Sequence, residues 1–183
     1  MAAVNPPWAA DLLHVWFDIL APRDWFAPDR GVDAMLRRKF ENILFALSNQ
    51  PTAQLGVGPR RTLAAILLFD QIPRNIYRDT PQAFAFDRTA SSLAKRAIDQ
   101  NWDAALPDRQ RQFIAMPLMH SENIADQEMS RAYFARHLSG NLSFARSHHA
   151  MIARFGRFPH RNGVLGRITT AREQAAIDAG FNW

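Results

Sequence analysis

Cysteine is absent from the 183 residues, which excludes disulfide staples, thiolate nucleophiles and thiolate metal sites. Lysine is almost absent: of 22 basic residues only Lys39 and Lys95 are not Arg. Long apolar runs are missing as well. Hydrophobic residues make up 48% of the chain, but they arrive in short groups broken by charges, far below the ~18 consecutive apolar residues of a membrane span. The opening Met1 to Pro7 lacks the basic start and apolar stretch of a secretory signal, so the expected location is cytoplasmic. No Gly-x-Gly-x-x-Gly and no Gly-Lys of the P-loop kind occurs, which removes both phosphate-binding motifs.

Strand patterning is the next absence. Nowhere do β-branched residues alternate with polar ones over a strand's length, so the fold is read as all-α. A single helical domain spans 1–183, with residues 1–7 as a short tail. Trp8, Leu12, Val15, Trp16 and Ile19 recur at helical spacing, and Val32, Met35, Leu36, Phe40, Ile43, Leu44 and Leu47 trace a longer stripe. Residues 51–58 read as a loop, with Pro59 in the first turn of a helix that Pro73 stops after Asp70-Gln71. A helical stretch from Thr80-Pro81 runs to about Asn101. Another opens at Pro107 and is broken or kinked at Pro117. The next runs to about Leu138, with Ile124, Tyr133 and Phe134 facing inward; a seventh carries Phe144, His148, Met151, Ile152 and Phe155. Thr170-Ala-Arg-Glu173 is a capping box and Gly180 a C-terminal stop. About eight helices joined by short loops suit an irregular bundle or stacked antiparallel pairs.

The formal net charge is +5, and it is polarised. Arg131 to Arg172 holds eight arginines and no carboxylate, whereas Asp11 to Asp33 holds five aspartates against two arginines. Such a basic stretch attracts anions, yet it lacks the Lys/Arg and Gly alternation of a nucleic-acid tail, so folded helix with a positive face is expected and nucleic acid is not the expected partner.

Chemistry concentrates in three segments where polar groups sit beside proline: Phe69 to Asn75, Met116 to Asn123 and Phe155 to Asn162. Each is placed at a helix end, where side chains such as Asp70, Asn75 and Asn162 also serve as caps for free backbone groups. Together they supply Asp70 and Glu122, His120 and His160 as candidate acid/base groups, and Gln71, Arg74, Asn75, Arg157, Arg161 and Asn162 as candidate anion ligands. The same residues also suit a network that ties helix ends together. His120-Ser121-Glu122 has the letters of a triad, but adjacent residues do not face one another as nucleophile, base and orienter. No metal spacing is present, so neither a metal nor another cofactor is expected. Trp25-Phe26, in a connector, is the aromatic pair closest to a candidate ligand groove.

At these segments the chain resembles a mainly bacterial family, domain of unknown function number 924, with a tetratricopeptide-like helical fold. The resemblance rests on Val15-Trp-Phe17, Trp25-Phe26, Leu67 to Arg78, Ala83-Phe-Ala85 with Asp87, Met116-Pro-Leu118 with His120-Ser-Glu122, and Phe155 to Asn162 with Leu165-Gly-Arg167. Met119 stands where the family usually has Glu, and Ile72 replaces an aromatic. The resemblance implies stacked helix pairs and marks the three polar segments as one shared feature. It supplies no reaction. Two functional expectations follow: a small-anion pocket, with hydrolytic or transfer chemistry if it is an enzyme, or a scaffold presenting a groove to a peptide or protein.

Overall fold

In the computed structural model, residues 6–181 are described, and among them no strand occurs. Most of the expected tail lies outside the described residues; Pro7 instead begins α1, Pro7–His14, where a missing N–H costs nothing. The long stripe forms α2, Arg30–Leu47, whose start is held by Asp29 accepting from the N–H groups of Gly31 and Val32. Its Leu36, Phe40 and Leu44 are fully buried.

Two helices contain a wide turn in which each N–H reaches one residue further back, and both turns set up side-chain contacts. At Val15–Ile19 the N–H of Leu20 bonds the carbonyl of Val15, and the Trp16 carbonyl accepts instead from the Trp25 indole at 2.7 Å. Trp25 is therefore buried core, packed edge-on against Phe17 and Phe113; Phe26 remains exposed, and so does Ile19.

The second wide turn corrects the reading of Pro73. After α4, Pro59–Ile66, the chain passes through a wide turn at Leu67–Gln71 directly into α5, Ile72–Ile76. The extra residue in the turn relieves the clash of the proline ring with the preceding carbonyls. Side chains then bond the carbonyls there: Arg74 Nη1 donates to Asp70 O at 2.6 Å and Asn75 Nδ2 to Gln71 O at 3.0 Å. The Phe69 to Asn75 segment thus passes through Pro73 and forms the last turns of one buried rod, which ends at Ile76 and not at Gln71. Within the expected loop before it, Thr52–Leu55 forms a single turn, α3.

The expected stretch from Thr80 divides into a tight turn, Pro81–Phe84, and α6, Asp87–Asp99. Helix α7, Asp108–His120, runs through Pro117 unbroken. Then come α8, Ile124–His137; α9, Leu142–Phe155; and α10, Ala171–Asp178, opened by the expected capping box. Gly180 takes the left-handed conformation, φ 93°, suited to a helix stop. Ile124, read as inward-facing, is exposed because it lies in the first turn of its helix; Phe144, in the first turn of α9, is exposed as well.

The rod from α4 to α5 lies at the centre. Helix α1 packs on α4 and α2 on α5, while α6 covers the rod from another side and α7, α8 and α9 follow, each against the one before. This is an irregular helical bundle. Asp103 anchors the far side, accepting from Tyr133 at 2.8 Å and from Arg111 at 3.1 Å. The main apolar core excludes a second, smaller cluster, in which Met151, Ile152, Phe158 and Ala176 pack with Phe155 and Phe181. Among the described residues no helix is long and apolar enough to cross a membrane.

Candidate functional site

The seam between the two apolar clusters is polar. The wide turn in the central rod brings Asp70 and Arg74 to it, α6 brings Asp87 at its first residue, α7 brings His120 at its last, and α9 brings His148. The 157–167 segment covers this group with Phe158, His160, Arg161 and Arg167.

Asp70 is buried and accepts from His120 Nδ1 at 2.8 Å, from Arg74 Nη1 at 3.2 Å and from the Gln71 amide. Burial alone pushes its carboxyl up, but Arg74 and His120 outweigh burial and hold it below the usual carboxylate range. Asp70 is therefore an anion at neutral pH, and the His120 nitrogen facing it is the donor. Asp87 bridges two guanidinium groups, Arg74 at 2.9 Å and Arg161 at 3.1 Å. Arg161 is clamped between the rings of Phe84 and Phe158, its guanidinium carbon 4.5 Å from each centroid. Burial and the repulsion of Arg74 lower its pKa to about 10 in spite of Asp87, Glu122 and Asp70. Its Nε is buried with no hydrogen-bond partner among the described residues.

Glu122, in the turn after α7, receives Arg167 through both oxygens, at 2.7 and 3.0 Å, and the Phe158 N–H at 2.8 Å. Burial raises its carboxyl, and these donors more than compensate, keeping it below its ordinary value. Glu122 thus holds the covering segment. The imidazoles of His148 and His160 are depressed by burial, to about 3 and about 4, and by Arg161 and neighbouring histidines, so both are neutral at pH 7. His148 Nδ1 bonds the Phe144 carbonyl at 2.9 Å, and its ring centroid lies 6.3 Å from that of His120.

The three sequence segments therefore do meet, and five of the ten candidate residues form the core of the cluster with Glu122: Asp70, Arg74, His120, His160 and Arg161. Gln71 supports Asp70 from behind. Three others are engaged elsewhere. Arg157 holds Glu173 through both oxygens, at 2.6 and 3.0 Å, bracing the capping box of α10. Asn162 is fully buried on that same side, with its carbonyl accepting from the Arg167 N–H. Asn75 turns toward α2, accepting from Arg78, whose guanidinium also grips Asp33. Asp87, His148 and Arg167 were not picked out by sequence reasoning as site members. Ser121 donates to Asp126 at 2.8 Å, which removes it as a nucleophile, and among the described residues no group of three or more His, Cys, Asp or Glu is arranged to hold a metal. Two surface depressions, of about 410 Å³ beside Phe45, Tyr77 and Phe86 and about 360 Å³ between α8 and α9, are lined by no member of the cluster.

Fold and site together define a class: an all-α domain whose two apolar cores meet at a buried arginine, histidine and carboxylate cluster. The chain belongs to the family described as bacterial protein of unknown function, number 924, whose pattern it matches over residues 12–180. It is similar to a protein of unknown function from Agrobacterium tumefaciens whose structure is solved, with 34% identity, coverage of 94% of this chain and 97% of that one, and a TM-score of 0.88. No curated protein matches it.

Proposed function

We infer that the seam is a receptor for a small carboxylate or phosphate and that His120, oriented by Asp70, serves as acid/base catalyst for hydrolysis or transfer on the molecule bearing that group. The observation that carries this reading is the His120–Asp70 pair at 2.8 Å set beside Arg161, a clamped guanidinium with an unused buried donor. A carboxylate buried behind an imidazole fixes its tautomer: Nδ1–H points to Asp70, and Nε2 carries the lone pair. Arg161 and Arg74 share Asp87, so an incoming anion is met by two neighbouring guanidinium groups and by the unused Nε–H of Arg161.

The nucleophile in this reading is water or a second substrate, since Ser121 is engaged. His120 Nε2 takes the proton as the attacking oxygen bonds to the acyl or phosphoryl centre, and returns it to the leaving group as that bond breaks. Arg74, His120, Glu122 and Arg167 are each only partly covered, which marks the side open to solvent.

The test has a binding arm and a chemical arm. Inorganic phosphate and acetate are titrated against the wild-type chain and Arg161→Gln while the melting temperature is followed. A probe at about 100 times its Kd stabilises by about 2.7 kcal/mol, or roughly 5–10 °C in a domain of this size. The shift is expected in wild type and absent in Arg161→Gln with helicity retained. Hydrolysis of p-nitrophenyl phosphate and p-nitrophenyl acetate is then compared between wild type and His120→Gln, which should fold normally and lose the activity. No shift with either anion, or turnover equal in both proteins, sinks the reading and leaves the cluster as a structural tie.

A further inference from the structure

A separate face of the molecule carries positive charge that, among the described residues, no ion pair neutralises. On α8, Glu128, Arg131, Ala132 and Ala135 follow at spacings that place them on one helix face, and on α9 Leu142 and Arg146 do the same. The two faces line a depression of about 360 Å³. Its floor is small and apolar: Ala132 and Ala135 are exposed and Leu142 is partly buried. Its walls are arginines. Among the described residues neither Arg131 nor Arg146 pairs with a carboxylate; Arg131 instead donates to His149 Nε2 at 3.2 Å, which holds its guanidinium at the rim. This differs from the seam, where each arginine has a counter-charge.

We propose that the α8–α9 groove is a docking site for an acidic peptide segment of a partner protein, with an apolar side chain seated on Ala132, Ala135 and Leu142 and carboxylates paired to Arg131 and Arg146. Charge complementarity selects this occupant: exposed guanidinium forks on both sides of an apolar floor match carboxylates flanking an apolar anchor. An apolar floor offers nothing to a sugar–phosphate backbone. The site is independent of the His120 cluster, since the two share no lining residue.

A random-peptide display library is selected on the wild-type chain, and the enriched peptides are titrated by fluorescence anisotropy. Enriched sequences should carry Asp or Glu on both sides of an apolar residue. Their affinity should fall about tenfold or more in Arg131→Glu/Arg146→Glu and weaken with added salt. Ala135→Trp fills the depression without changing charge, and it should also abolish binding, so the argument does not depend on one variant's folding. His120→Gln should bind the peptides as wild type does, which separates this proposal from the reading of the seam. The proposal is overturned by any of three results: no enrichment, enriched peptides without acidic residues, or affinities unchanged in both groove variants. A single-stranded oligonucleotide that binds more tightly than the peptides and needs the same arginines also overturns it.

Discussion

Acid should loosen this protein well before its carboxylates titrate. His148 and His160 lie in the seam with folded pKa values of about 3 and about 4, against an ordinary 6.5. Burial is the main cause. His148 faces His120, Arg161 and His160, while His160 faces Arg161, Arg167 and His120, with Glu122 the opposing charge. Below pH 6.5 the unfolded chain binds protons at these positions that the folded chain refuses. Stability is therefore whole at neutral pH and falls as pH drops through 6.5 toward the folded values, at about 1.4 kcal/mol per pH unit per histidine. Between pH 7 and pH 5 the loss is about 2 kcal/mol for His148, which is nearly sealed. His160 adds a smaller amount because it keeps some solvent contact and Glu122 opposes the shift, giving about 3–4 kcal/mol together.

The carboxylates do not blur this window. Asp70, Glu122 and Glu173 all have lowered pKa values, so the stability they contribute is present above their ordinary range and is lost only in stronger acid. Urea unfolding followed by circular dichroism at pH 7 and pH 5 measures the difference; the midpoint should fall by roughly 1–2 M. His148→Gln/His160→Gln should flatten the dependence between these two pH values even if its stability at pH 7 is lower. A wild-type midpoint unchanged across the window, or an equal fall in the double variant, refutes the assignment of two neutral histidines to the seam.

Glu122→Gln removes charge from the group that receives Arg167 and the Phe158 N–H, and should cost about 1–3 kcal/mol in urea unfolding. Amide exchange should accelerate in residues 156–168 while α2 and α4 keep their protection. Phe113→Ala deletes the ring against which Trp16, Phe17 and Trp25 pack, and should cost about 3–5 kcal/mol in the same assay. Thr170→Ala should cost about 1 kcal/mol, because it breaks the capping box of α10. Its effect should stay local, read as faster exchange in 170–178.

How far these features were legible in the chain depends on whether the information was local. The stripe of α2 and the box at Thr170 are written within a few residues, so periodicity and cap chemistry locate them. Pro73 is the instructive failure. A proline stops an α-helix only if the turn stays α-helical, and the wide turn at Leu67–Gln71 with side-chain donors from Arg74 and Asn75 is a tertiary solution that local propensity does not encode. Ile124 fails for a related reason: spacing assigns a face, but whether a neighbour covers its end depends on packing.

The seam shows the same division. Its residue types stood out because charges beside proline in apolar segments are unusual, and convergence followed from contacts that bridge long separations: His120 to Asp70 over 50 residues, Glu122 to Arg167 over 45 and Arg161 to Asp87 over 74. Asp87, named only among the residues of the family resemblance, was not assigned to the site because at the first turn of a helix an aspartate already has a sufficient local reason to exist. Arg157, four residues from Arg161 and identical in type, faces Glu173 and not Asp87, with the turn at Pro159–Arg161 between them. A local explanation for a polar residue therefore never excludes a distant one. At Asp87 both hold at once, since the carboxylate that favours the start of α6 is also the one that bridges Arg74 and Arg161.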